Sequence, residues 1–308
     1  MKKIILSVLV ALQLLSCKKE DGPQEGSNMD EIDYHQTAST QFIKVGEVKF
    51  AYRVLGKTDD IPLVMVSPLG SSMDDWDPAI TNGLAEKNKV ILFDLEGAGS
   101  SSGHTPENIP DMAKGVVAFI KALGYKKVNL LGFSMGGFIS QQIILTEPTL
   151  VNKLILTGTG PKGSEGLSKL PELLESTANL SPEESFLHVG FTKSNASRQA
   201  GKRVYERIQK RVIDRDLPLS AQSATAELTA VLKWATPYPD ALKELATVKQ
   251  LVLIAQGQED VPTPVINAIK MSEHIPNARL IVYKDAGHAA AFQYALDFVQ
   301  QAIEFLNN

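Results

Sequence analysis

Ser134 lies in the run Gly132-Phe133-Ser134-Met135-Gly136-Gly137, preceded by the apolar stretch Val128 to Leu131 and followed by Phe138 to Ile144, which reads as a helix. Strand, tight turn and helix in that order would hold a serine on a strained bend, its hydroxyl pushed out above the sheet. The flanking glycines fit because a Cβ there would collide with the neighbouring strand and helix. The helix would also aim its first amides at the serine, so the Met135 N–H can stabilise negative charge developing on a bound carbonyl oxygen. Such chemistry is acyl transfer, and a hydroxyl is a weak nucleophile until a base takes its proton. Five histidines are present. His35, His104, His188 and His274 have no partner that the sequence reveals, whereas His288 closes Asp285-Ala286-Gly287-His288 after an apolar run. A carboxylate is needed to orient the base. Glu259 and Asp260, in Gly257-Gln258-Glu259-Asp260, both stand at the end of a strand-like segment and either one can serve.

These residues need a sheet to carry them. Gln41 to Leu55 alternates with partial period two around Gly46, which predicts an antiparallel hairpin. Ile61 to Val66, Lys89 to Asp94, Val128 to Leu131, Lys153 to Thr157, Lys249 to Ala255 and Arg279 to Tyr283 are short apolar runs of the kind that form strands covered on both faces. Helical segments are expected from near Trp76, from Pro106 to Leu123, after Ser134 and from Phe292 to Leu306. Alternating strands and helices make one large α/β unit. Residues 162 to 240 break the rhythm, with helical stretches near Leu167 to Ala178, Pro182 to Gly190, Ser197 to Arg211 and Ser220 to Ala235. The charge run Lys202 to Asp216 there is read as a solvated helix face with i,i+4 pairs. Phe186, Phe191, Tyr205 and Trp234 are candidates for a pocket roof or for core.

The loop Leu95 to Gly103 is rich in glycine and serine but lacks the Lys-Ser/Thr ending of a phosphate-binding loop and the G-x-G-x-x-G spacing. Asp94 before it is expected to fix the loop as a hydrogen-bond acceptor. A net charge of −4 over 308 residues, 44% of them hydrophobic, gives no reason to expect a nucleic-acid partner.

At the N-terminus Lys2 and Lys3 precede an apolar run from Ile4 to Leu15, closed by Ser16 and Cys17. The run is short for a transmembrane helix, which needs about 20 apolar residues, and suits a signal peptide over residues 1 to 17. Cys17 is the only cysteine. Leu14-Leu15-Ser16-Cys17 resembles the lipobox of bacterial lipoproteins, which implies acylation of Cys17, a membrane anchor and a place in the bacterial cell envelope. Lys18-Lys19-Glu20-Asp21 is similar to the surface-export tag of some Bacteroidetes lipoproteins. Residues 18 to 40 are polar and are expected to be a flexible tether.

Taken together, Ser67 to Ser72, Asp94-x-x-Gly97-x-Gly99, Gly132 to Gly137, Gly257-x-x-Asp260-x-x-x-Pro264 and Gly287-His288 resemble the α/β-hydrolase superfamily. The resemblance covers residues 41–161 and 241–308 and implies a central, mostly parallel sheet flanked by helices, with residues 162–240 as an inserted helical cap. It implies a triad of Ser134, Asp260 and His288, whose chain order is that of the fold, and selects Asp260 over Glu259 by spacing. It also implies that the loop after the Ile61 to Val66 strand supplies a second oxyanion donor. Pro68 has no N–H, so Leu69 is the candidate beside Met135. Ser67-Pro68 stands where most members carry His-Gly. The expectation is a lipid-anchored serine esterase for a small acyl substrate, with no metal or organic cofactor. The same triad would also serve carbon–carbon bond hydrolysis or perhydrolysis, and the fold could instead carry a non-catalytic ligand-binding module.

Overall fold

In the computed structural model, residues 32–56 and 61–308 are described. Among them eight strands form one sheet: β1 (Gln41–Val45), β2 (Val48–Leu55), β3 (Leu63–Val66), β4 (Val90–Phe93), β5 (Val128–Phe133), β6 (Val151–Thr157), β7 (Leu251–Gly257) and β8 (Ala278–Tyr283). Their spatial order is β1-β2-β4-β3-β5-β6-β7-β8. The hairpin expected over Gln41 to Leu55 is present, and β2 runs antiparallel to both β1 and β4. The strands from β4 to β8 are mutually parallel. The expected α/β architecture with a mostly parallel sheet is therefore observed.

Among the described residues the α-helices are α1 (Tyr34–Thr37), α2 (Pro78–Ala85), α3 (Ile109–Ala122), α4 (Met135–Thr146), α5 (Leu170–Glu175), α6 (Pro182–Gly190), α7 (Asn195–Ile208), α8 (Ala221–Trp234), α9 (Ala241–Leu245), α10 (Val265–His274), α11 (Ala290–Gln293) and α12 (Ala295–Asn307). Successive side chains of a strand face opposite ways, and here both directions are apolar. Val64, Val66, Leu130 and Ile254 join α3 and α4 in one core, while Leu63, Met65, Leu131 and Leu253 join α2 and α12 in another. Burial on both faces explains why these strands read as continuous apolar runs. Start signals are equally local: Asp77 caps α2 by accepting from the Ala79 N–H, and Pro78 stands at its first position.

Two expectations fail where distant charges meet. Residues 33 to 40 are not a free tether. Asp33 caps α1, the buried His35 bonds Thr81 Oγ1 through Nδ1 at 2.9 Å, and Arg211 donates to the carbonyls of Gln36 (2.9 Å) and Ala38 (2.8 Å). The expected signal peptide, Cys17 and residues 18 to 31 lie outside the described residues. Nor is the run from Lys202 to Asp216 uniformly solvated: Lys202, Arg203, Glu206 and Lys210 are exposed, but Arg211 and Asp216 are buried.

The physical reason is Arg53, which is wholly buried on β2. It bonds Asp74, donates to the Asp214 carbonyl at 2.6 Å and pairs with Asp216 at 3.6 Å, while the Asp216 N–H donates to Asp74 at 2.6 Å. A buried cation must gather carboxylates and carbonyls, and the chain bends to supply them. Arg53→Met should consequently lower stability by about 3–5 kcal/mol by leaving Asp216 without its cation and Asp74 with Arg211 alone, whereas Lys210→Met, at an exposed position of the run, should stay within about 0.5 kcal/mol. Urea midpoints at constant slope would check this; equal midpoints for the two variants would contradict it.

Candidate active site

β5 ends at Phe133 and α4 begins at Met135, leaving Ser134 alone at the bend with φ 53° and ψ −116°. That backbone is unfavourable for a residue with a Cβ. It is held from both sides: the Ser134 N–H donates to the Thr157 carbonyl at 3.0 Å, and the Ser134 carbonyl accepts from Thr159 Oγ1 at 2.9 Å. The glycines are required sterically. A Cβ on Gly132 would come within 2.4 Å of the Gly136 carbonyl oxygen, and one on Gly136 within 1.9 Å of the Val66 carbonyl oxygen. Strand β3 and helix α4 can approach this closely only because position 136 has no side chain.

The ends of β5, β7 and β8 bring three residues together although they are far apart in the chain. His288 Nε2 lies 2.9 Å from Ser134 Oγ, and its Nδ1 lies 2.9 Å and 3.1 Å from the two oxygens of Asp260. Asp260 is buried and Glu259 is exposed. Asp260 is further fixed by the Thr263 N–H (2.8 Å), Thr263 Oγ1 (3.0 Å) and Gln256 Nε2 (2.8 Å). With these donors satisfying its remaining lone pairs, the carboxylate has one direction left for His288. The imidazole packs against the Phe133 ring, with centroids 5.1 Å apart. Thr263 and Gln256 escaped the sequence reading; the Asp260-x-x-x-Pro264 spacing was the one signal that could have pointed to Thr263.

The other histidines are elsewhere. His35 is locked against α2, His104 is exposed, His188 meets Ser176 Oγ at 3.1 Å, and His274 Nδ1 meets the Lys270 carbonyl at 2.8 Å. Among the described residues no group of His, Cys, Asp and Glu is arranged to hold a metal ion.

Leu69 and Met135, the expected amide donors, lie in the loop after β3 and at the start of α4. Met135 is the first residue of α4, where an N–H has no acceptor within the helix. Leu69 lies in the loop after β3, half-buried, and Ser67 beside it is buried with its hydroxyl accepting from Trp76 Nε1 at 3.1 Å. The serine that replaces the family's histidine thus ties the loop to the chain just before α2. Asp94 acts as expected: it accepts from the Met73 N–H at 2.9 Å and the Ser100 N–H at 2.8 Å, and burial, with Asp216 nearby, pushes its carboxyl up to about 8. Its location leaves it a tie between two loops.

Helix α8 closes over this region. Trp234 stacks on Phe138 of α4 with centroids 5.5 Å apart, while Glu227, fully buried, accepts from the Gly70 N–H at 2.7 Å. Nothing in the sequence marked Glu227, because a lone glutamate in a helix is ordinarily solvated. Phe186 packs against Phe191 and Tyr205, at 5.4 and 5.7 Å, so these aromatics form a cluster of their own.

A family model described as the alpha/beta hydrolase fold matches residues 61–294. A solved alpha/beta hydrolase fold protein from Chitinophaga pinensis superposes with a TM-score of 0.86 at 38% identity, over 89% of this chain and 99% of that one. A 2-hydroxy-6-oxononadienedioate/2-hydroxy-6-oxononatrienedioate hydrolase of Burkholderia vietnamiensis is 26% identical over 90% of this chain and 99% of its own. A pimeloyl-[acyl-carrier protein] methyl ester esterase of Aliivibrio salmonicida is 27% identical over 79% of this chain and 91% of its own. With the family pattern spanning both halves of the sheet and the bend between them, the chain belongs to the alpha/beta hydrolase fold family.

Proposed function

We propose that the protein is a serine hydrolase that cleaves a small carboxylic ester or related acyl substrate through an acyl-enzyme. The observation that carries this reading is the continuous hydrogen-bond line from Ser134 Oγ through His288 to Asp260, 2.9 Å at each link. Such a line is what a hydroxyl needs in order to become a nucleophile at neutral pH.

In this scheme Ser134 Oγ bonds to the acyl carbon as its proton passes to His288 Nε2. The carbonyl π pair moves onto oxygen, which takes hydrogen bonds from the Leu69 and Met135 N–H groups. Collapse breaks the bond to the leaving group, which departs as the alcohol with the proton from His288. Water then repeats the sequence: His288 accepts one of its protons, the acid is released and Ser134 regains its hydrogen. Asp260 holds the tautomer with the proton on Nδ1 and stabilises the imidazolium. No metal or organic cofactor enters these steps.

A second reading, hydrolysis of a carbon–carbon bond beside a carbonyl, would use the same three residues. It is favoured by the similarity over nearly the whole chain to the Burkholderia vietnamiensis hydrolase, whereas the Aliivibrio salmonicida esterase favours the ester reading. Residues 162–240 would act in either case as a cap that selects the substrate.

A fluorophosphonate probe should label the wild-type protein covalently, and both Ser134→Ala and His288→Ala should abolish labelling while the circular dichroism spectrum is kept. Labelling that survives loss of Ser134, or a folded wild type that resists the probe, would remove the hydrolase reading in favour of a binding module. For the acid, Asp260→Asn should reduce kcat by up to about 10⁴, and Glu259→Gln should change it little; the opposite ranking would assign the role to Glu259.

Lipid anchoring at Cys17 belongs to the same proposal, placing the enzyme in a bacterial cell envelope. Cys17→Ser should move the protein from the membrane fraction to the soluble one. If both forms sediment equally with membranes, acylation is not what holds the protein there.

A further inference from the structure

Glu227 is 0% exposed and has one partner, the Gly70 N–H at 2.7 Å; its second oxygen, Oε1, has none among the described residues. Burial pushes its carboxyl up to about 7, opposed by the Gly70 bond alone. The loop Ser67 to Ser72 brings no charged side chain. The other elements packed on α8 bring Asp111, Lys114 and Lys121 on α3 and Lys169 on the turn at Leu167–Lys169, all exposed, and the segment after β6 brings Lys162, half-buried beside Ala230 and Trp234. The loop touched by the start of α8, where Ser223 Oγ donates to the Gly97 carbonyl at 2.7 Å, holds Glu96, which bonds the His104 N–H at 3.4 Å. Lys233, near the far end of α8, pairs with Glu107 at 3.6 Å. A buried carboxyl with a free oxygen and no cation is an arrangement that stability alone does not favour.

We propose that Glu227 is a positioning residue of the oxyanion hole: it pins the Leu69–Gly70 peptide from α8 and makes the reaction depend on its own ionisation. The proposal rests on the reading of Leu69 as an oxyanion donor. The Gly70 N–H and the Leu69 carbonyl belong to one peptide plane, so the bond to Glu227 fixes the rotation of Leu69 and with it the aim of the adjacent Leu69 N–H. Gly70 has φ +79° and is exposed, with open space where a Cβ would stand, while the Leu69 side chain packs on the core. The bond from α8 adds a polar restraint on the peptide between them. As the neutral acid, Glu227 accepts through one oxygen and keeps its proton on the other. As the carboxylate, it sets a full negative charge beside a loop that must receive an oxyanion, in surroundings of low dielectric where repulsion is strong. The acid form therefore supports catalysis and the ionised form opposes it.

The test is the pH dependence of kcat/KM on a short-chain p-nitrophenyl ester, read for the wild-type protein, Glu227→Gln and Glu227→Ala. The wild type should fall above about pH 7, approaching tenfold per pH unit if the acid form alone is competent. Glu227→Gln can still accept from Gly70 but cannot ionise, so its profile should lose that fall. Glu227→Ala should lose about 10²-fold in kcat with little change in KM, because a misaimed donor acts on the transition state. A merely structural glutamate would lower activity equally at every pH, and parallel profiles for wild type and Glu227→Gln would overturn the proposal. If the alanine variant does not fold, the glutamine comparison still decides. Wild-type protein that turns over no ester and takes up no fluorophosphonate would overturn the hydrolase reading and this one together, whereas turnover with parallel profiles would overturn only the role of Glu227.

Discussion

The structure depends on one strained residue. Ser134 has a left-handed φ that a side chain disfavours, and the cost is borne by its surroundings: the carbonyl of Thr157 and the hydroxyl of Thr159 fix its peptide, and two glycines let β3 and α4 close against it. A bend this tight turns the chain from the end of a buried strand directly into a helix. It sets the Ser134 hydroxyl directly beside the first residue of α4.

The rest of the site is an arrangement around that point. Parallel strands end on the same edge of the sheet, so residues just past β5, β7 and β8 meet although more than a hundred positions separate Ser134 from His288. The sheet supplies proximity and hydrogen bonds supply orientation. Asp260 is held by Thr263 and Gln256 before it meets His288, and the Ser67 hydroxyl, bonded to Trp76, steadies the loop that carries Leu69. Polar groups taken out of water keep their bonds, and here the bonds fix the line from Ser134 through His288 to Asp260 as well as the fold.

A second polar assembly lies at the outer edge. Arg53, Asp74, Asp216 and Arg211 tie β2, the loop after β3, the segment after α7 and the chain around α1 into one buried cluster. The inserted helices are thereby fastened to the sheet at one end by charges and at the other by bonds from α8, Glu227 to Gly70 and Ser223 to Gly97. The two fastenings differ in kind. The first pairs opposite charges in depth, whereas the second includes a carboxyl bonded to one backbone N–H, with no cation beside it.

Much of this was legible in the chain itself. Apolar runs of four to seven residues predicted the strands because both faces of the sheet are covered. The glycines around Ser134 predicted the bend because a Cβ there would collide with its neighbours, whereas the residues alone left Asp260 and Glu259 open and only the resemblance to the family's spacing separated them. Local chemistry determined these features, so a local pattern records them. The tertiary structure decided the rest. Whether Arg211 and Asp216 are solvated, whether residues near His35 are loose, and whether Glu227 is an ordinary helix glutamate all depend on groups distant in sequence. A charge pattern shows which side chains can pair, but burial decides which must, and burial is a property of the assembled molecule.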